Sequence, residues 1–73
     1  MRVEPGQVYL VWHNYRSDPF LILAPSYREG ENYDVASKWS VLNLTNLQQL
    51  YIYDDELTRP DSEKDYYAIE RLF

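Results

Sequence analysis

The stretch QVYLVWHNYRSDPFLILAP, residues 7–25, decides the fold. Val8, Leu10 and Trp12 fall on one parity, and Tyr9, Val11, His13 and Tyr15 on the other. Period-two spacing of β-branched and aromatic residues specifies a strand, apolar here on both faces in its first half. Pro5-Gly6 just ahead of it is a turn signal. Arg16-Ser17-Asp18-Pro19 reads as a polar turn. PFLILAP, residues 19–25, is then an apolar block bounded by prolines, too short for a helix and right for a buried strand. The two strands form a hairpin.

Three further elements extend this unit. SYREGENYDVASK (26–38) is the longest irregular connection, with Gly30 as its expected positive-φ position. WSVLNL (39–44) alternates as a third strand, and Thr45-Asn46 reads as a tight turn. LQQLYIYDD (47–55) reads as a fourth strand, with Leu50 and Ile52 on one face and Tyr51 and Tyr53 on the other. Leu44, Leu47 and Leu50 sit three apart, so a helix over 45–53 competes, but the Tyr-Ile-Tyr ending favours the strand. The tail DSEKDYYAIERLF (61–73) leans towards a closing strand, because Tyr67, Ile69 and Phe73 share one parity. Ser62 with Asp65 resembles a capping box and keeps a short helical turn as the alternative.

Composition narrows the class. Seventy-three residues make one domain, 1–73, near the lower size limit for folding without staples. The chain has no cysteine, so disulfides and thiolate metal sites are excluded, and its single histidine makes zinc improbable. Asp54-Asp55-Glu56 lacks the glycine that sharp calcium loops require. No cofactor or metal is expected. No apolar run approaches the roughly 18 residues of a membrane span, and MRVEPGQ lacks the apolar region of a secretory signal. A cytoplasmic protein, monomeric when free, is expected.

The net charge of −5 argues against direct nucleic-acid binding, since the seven basic residues form no cluster. Most of the charge lies in YIYDDELTRPDSEKDYY, residues 51–67, where six acidic and two basic side chains stand between two tyrosine pairs. Eight tyrosines and two tryptophans are more large rings than a small core holds, so an exposed aromatic cluster is expected. Carboxylates that steer and rings that anchor suit docking on a basic protein surface. The expected partner-binding residues are Tyr51, Tyr53, Asp54, Asp55, Glu56 and Tyr66, with Tyr27, Arg28 and Tyr33 from the long loop. His13 has no Ser or carboxylate at a motif spacing and reads as structural. No catalytic residue is expected.

PGQVYLVW, PFLIL, KWSVLNL and YIYDDEL, spanning residues 5–57, together resemble the strand order of SH3-like small barrels. In many of these a Pro-Gly turn opens the first strand, short bacteriophage proteins among them. The resemblance implies a mainly β fold: a partly open antiparallel barrel of four to five strands, with an acidic connection and a short C-terminal strand or helical turn. Some barrels of this class are ribonuclease toxins, but an acidic chain opposes RNA capture. Size, acidity and strand pattern also resemble small early proteins of lytic bacteriophages, within that group the regulators of bacterial RNA polymerase. That resemblance implies inhibition of initiation by occluding or displacing sigma, and in some such regulators an altered termination. The alternative is an acidic inhibitor, partly mimicking DNA, of a host nucleic-acid-binding defence enzyme.

Overall fold

A computed structural model describes residues 3–27, 36–58 and 67–73. The fold is mainly β. Strands β1 (Val8–His13), β2 (Arg16–Ser26), β3 (Lys38–Asn43), β4 (Gln48–Tyr53) and β5 (Tyr67–Arg71) form one antiparallel sheet, with the short helix α1 (Asp54–Thr58) after β4. The spatial order is β4-β3-β2-β1-β5, so the last strand returns beside the first. The ladder does not close, and β4 and β5 are its two edges. α1 packs against both, and its buried Leu57 belongs to the core. A helical turn therefore spans the gap that a closed barrel would fill with hydrogen bonds.

Pro5-Gly6 forms the expected turn. Gly6 takes φ +87°, and the Gln7 N–H reaches back to the Glu4 carbonyl at 3.3 Å. Pro at the second position and a positive-φ glycine at the third define a type II turn. The inner face of the sheet then carries Tyr9, Val11, Phe20, Ile22, Trp39, Val41 and Ile52, all buried. Tyr9 is fully buried with its hydroxyl donating to Gln7 Oε1 at 2.8 Å. Burial, with help from Glu4 and Asp54 and against Arg71, pushes its hydroxyl pKa up. Both strand prolines sit where a ladder can spare an N–H. Pro19 lies opposite Leu44, beyond the end of β3, and Pro25 follows a register shift at Leu23 past the start of β1.

Three expectations are corrected. The first turn is Asn14-Tyr15, not Arg16–Pro19, because His13 pairs directly with Arg16. Both turn residues have positive φ, 47° and 62°, as a two-residue type I′ hairpin requires. The second turn is the four residues Leu44–Leu47 rather than Thr45-Asn46 alone. Asn43 Oδ1 and Asn46 Oδ1 accept from the N–H groups of Thr45 and Gln48, which supports Leu47 at φ 60°. In the tail the expected strand forms over Tyr67–Arg71, but the buried residue is Ala68; Ile69 and Phe73 are exposed. A register shift between Leu10 and Val11 moves the apolar parity by one residue.

The shifted first turn leaves Asp18 inside β2, on the inner face and 5% exposed. Its Oδ2 lies 2.6 Å from His13 Nε2, 3.0 Å from Arg16 Nε and 3.2 Å from Asn43 Nδ2, and Oδ1 accepts from Thr45 Oγ1 at 3.0 Å. Desolvation acts to raise the Asp18 pKa. The hydrogen bonds from His13, Asn43 and Thr45, with the Arg16 charge, outweigh it and hold the carboxyl below the usual carboxylate range. An ionised carboxylate only accepts, so the imidazole carries its proton on Nε2. One side chain thereby joins β1, β2, β3 and the turn after β3. The His13 carboxylate partner that no motif spacing announced lies five residues on, across the hairpin.

Asp18→Asn keeps one acceptor oxygen for the donors of His13, Arg16 and Asn43 and turns an NH2 towards the Thr45 hydroxyl, but it removes the negative charge that the His13 and Arg16 side chains face. Urea unfolding is expected to show a loss of about 3 kcal/mol at pH 7. Because the folded pKa is depressed, the carboxylate's contribution is present above the unfolded-state pKa of aspartate. It is lost as pH falls through the lower folded value. The stability gap between the wild type and Asp18→Asn should therefore shrink in acid, and a gap constant from pH 7 to pH 2 would refute this account. Separately, Tyr15→Gly should stabilise the hairpin by about 0.5 kcal/mol, since glycine relieves a left-handed tyrosine at some entropic cost.

Candidate protein-binding surface

The register of β3 and β4 pairs Lys38 with Tyr53, Trp39 with Ile52, Ser40 with Tyr51 and Val41 with Leu50, without a break. Alternation then puts Ile52 in the core and turns Tyr51 and Tyr53 to the outer face, 63% and 49% exposed. Lys38 Nζ sits 5.4 Å from the Tyr51 ring centroid, within cation–π range. Gln49 Nε2 donates to Ser40 Oγ at 2.8 Å on the same face. Two rings two residues apart on an edge strand form a short aromatic ridge.

This ridge runs directly into α1, whose first turn is Asp54, Asp55 and Glu56. The three carboxylates differ in their surroundings. Asp54 is half-buried, and Trp39 Nε1 donates to its Oδ1 at 2.8 Å. Its N–H reaches the Ser37 carbonyl at 3.2 Å, continuing the β3–β4 ladder by one residue. Asp54 therefore anchors the helix to a core tryptophan. Asp55 is exposed and Glu56 half-buried. The acidic end is thus held in a fixed position relative to the two rings.

Tyr27 follows β2, half-buried and packed against the core. Strand β4 and the helix that follows it bring together Tyr51, Tyr53, Asp54, Asp55 and Glu56. Arg28, Tyr33 and Tyr66 lie outside the described residues. Sequence reasoning missed Asp18, Asn43 and Thr45, which build the buried polar cluster. The signal that could have found them is the parity of Asp18 with Phe20 and Ile22, visible once Asn14-Tyr15 is taken as the turn.

The outer face also carries an apolar row, in which Val8 is buried and Leu10, Pro19, Leu21 and Leu42 are half-buried. Leu21 pairs with Val8 on one side and Leu42 on the other, and Pro19 pairs with Leu10. Among the described residues no three His, Cys, Asp or Glu side chains gather as metal ligands, and no helix is long and apolar enough to cross a membrane. No family model, curated protein or solved structure matches the chain.

The Trp39–Asp54 bond is open to test. Asp54→Ala should cost about 1 kcal/mol and speed amide exchange in α1. Asp54→Asn, which keeps an acceptor oxygen, should cost less. Equal losses for the two would show that the bond does not hold the helix.

Proposed function

We propose that the protein is a non-enzymatic binding protein that acts by occupying a site on a larger protein with a basic surface. The observation that carries this reading is the ridge of Tyr51 and Tyr53, exposed side by side and continuous with the acidic first turn of α1. Exposed rings held on a strand supply apolar contact at little entropic cost, and tyrosine is enriched among residues that dominate binding energy. The carboxylates beside them raise the encounter rate with a positive partner. The sole histidine, 4% exposed and bonded to Asp18, is poorly placed to meet a substrate.

The sequence resemblance to phage regulators names bacterial RNA polymerase as the first partner to try, in the bacterial cytoplasm. Polymerase displays basic surfaces that engage DNA and acidic sigma segments, and an acidic fold with an aromatic anchor would compete for them. Inhibition would follow from occlusion, because promoter engagement needs those surfaces free. Asp54, Asp55 and Glu56 gather in one helical turn, which favours a local protein contact over mimicry of an extended DNA backbone.

The test is capture of purified polymerase, core and holoenzyme, on the immobilised protein across a salt series. Capture that weakens with salt and releases sigma is expected. Tyr53→Ala should raise the dissociation rate about thirtyfold, the kinetic equivalent of roughly 2 kcal/mol for a hot-spot ring. Reversing the charge of Asp55 and Glu56 should instead slow association and flatten its salt dependence. Absence of capture with both forms would remove polymerase as the partner. Unchanged binding by both variants would remove this surface.

A further inference from the structure

Two turns leave the same end of the sheet. β1 and β3 both run antiparallel to β2, so Asn14-Tyr15 and Leu44–Leu47 follow their last residues in the same direction. Each turn holds a large side chain where a hairpin favours glycine. Tyr15 has φ 62° and Leu47 φ 60°, and they are 94% and 72% exposed. A left-handed conformation is costly for a residue with a Cβ, and here no burial of the side chain offsets that cost.

The support comes from Asp18. Its donors stand at the last residue of β1, His13, the first of β2, Arg16, the last of β3, Asn43, and in the second turn itself, Thr45. Oδ2 alone meets three of them, two flanking the first turn and one preceding the second. Asn43, 1% exposed, carries the link onward. Its Nδ2 donates to Asp18, its Oδ1 accepts from the Thr45 N–H at 2.9 Å, and its carbonyl accepts from the Leu47 N–H at 2.7 Å. A displacement of Oδ2 therefore reaches the backbone of the second turn through one planar side chain.

We infer that the two turns open and close as one unit, with the Asp18 carboxylate as the latch. If the first turn opened alone, His13 and Arg16 would leave the buried carboxylate with two donors. If the second opened alone, Asn43 and Thr45 would do the same. A half-satisfied buried charge is less stable than one released to water. Releasing it removes the support of both turns at once, so the loss of any one donor shifts the equilibrium of both. The exposed side chains carried on this unit are Tyr15 and Leu47. A contact that fixes either tip thus orders the other, which couples the two tips without a second conformation of the closed state. The inference does not depend on the partner reading.

Amide exchange of the full chain tests it, followed by NMR under conditions where the rates report the opening equilibrium. Thr45→Val keeps the side-chain shape and removes one donor from the second turn. Exchange should speed up about fivefold at the Leu47 N–H and, through Asp18, by a similar factor at the Arg16 N–H beside the first turn. The Val8 N–H, bonded to the Phe73 carbonyl at the opposite end of β1, is the control. Its rate should change by less than about twofold. Tyr15→Gly applies the reverse perturbation from the first turn. By relieving strain there it should slow exchange about twofold at Leu47 as well as at Arg16. Acceleration at Leu47 with Arg16 unchanged would overturn the inference, because the turns would then open separately. Equal acceleration at Val8 would overturn it too, since the turns would open only with the whole fold. So would a Tyr15→Gly effect confined to Arg16.

Discussion

The Asp18 carboxylate is the constraint on which the arrangement of this sheet depends. It is 5% exposed and takes hydrogen bonds from four side chains on β1, β2, β3 and the turn beyond β3. A buried ion is costly unless its lone pairs are occupied, so this carboxylate tolerates few other positions of its donors. Arg16 is mostly exposed and contributes little on its own. The buried donors, His13 and Asn43, decide the geometry. Apolar packing would permit one strand to slide past its neighbour at modest loss, but a slide here strands a charge. The cluster sits at the hairpin end of the inner face, where Phe20 packs against the His13 ring at 5.1 Å. Polar specificity and the apolar core therefore meet at one place.

Much of the fold was legible because strand periodicity survives in single sequences. The alternation in Val8–His13, the proline-bounded block after it, and the Tyr-Ile-Tyr run each located a strand. Turns were less legible. Asn14-Tyr15 hides a type I′ turn, since tyrosine is a poor residue for positive φ, whereas Arg16-Ser17-Asp18-Pro19 has turn composition and is nevertheless strand. Composition failed there because Asp18 is bound by tertiary partners, and its polarity reflects an interior site rather than solvent. In the tail, parity misassigned the inner face for a related reason. The bulge lies in β5, where Ile69 is the extra residue between Ala68 and Glu70, and no local feature of YAIERLF records it. The candidate surface was partly legible: Tyr51 and Tyr53 lie outward as alternation requires. The anchoring of Asp54 by Trp39 spans fifteen residues and has no local signature.

A sheet of five strands in so short a chain must leave edges or spend residues closing them. This one does neither fully. α1 crosses between β4 and β5 and inserts Leu57 where the ladder stops, so the core is sealed although the hydrogen bonding is not. The acidic first turn of that helix follows from the same geometry. Trp39 needs an acceptor for its indole N–H, and a carboxylate at the first helical position both supplies it and sits well with the helix N-terminus. Part of the charge that composition presents as a solvent-facing or partner-facing feature thus has a structural origin.

That division of labour bears on how the exposed tyrosines should be understood. Leucine at positions 51 and 53 would satisfy strand pattern equally well and would leave an apolar edge prone to indiscriminate pairing. Tyrosine keeps a large contact area while its hydroxyl remains hydrated, and Lys38 over the Tyr51 ring adds a charge to the same face. The outcome is an edge that is neutral along its backbone, amphipathic on its outer face and acidic at its C-terminal end.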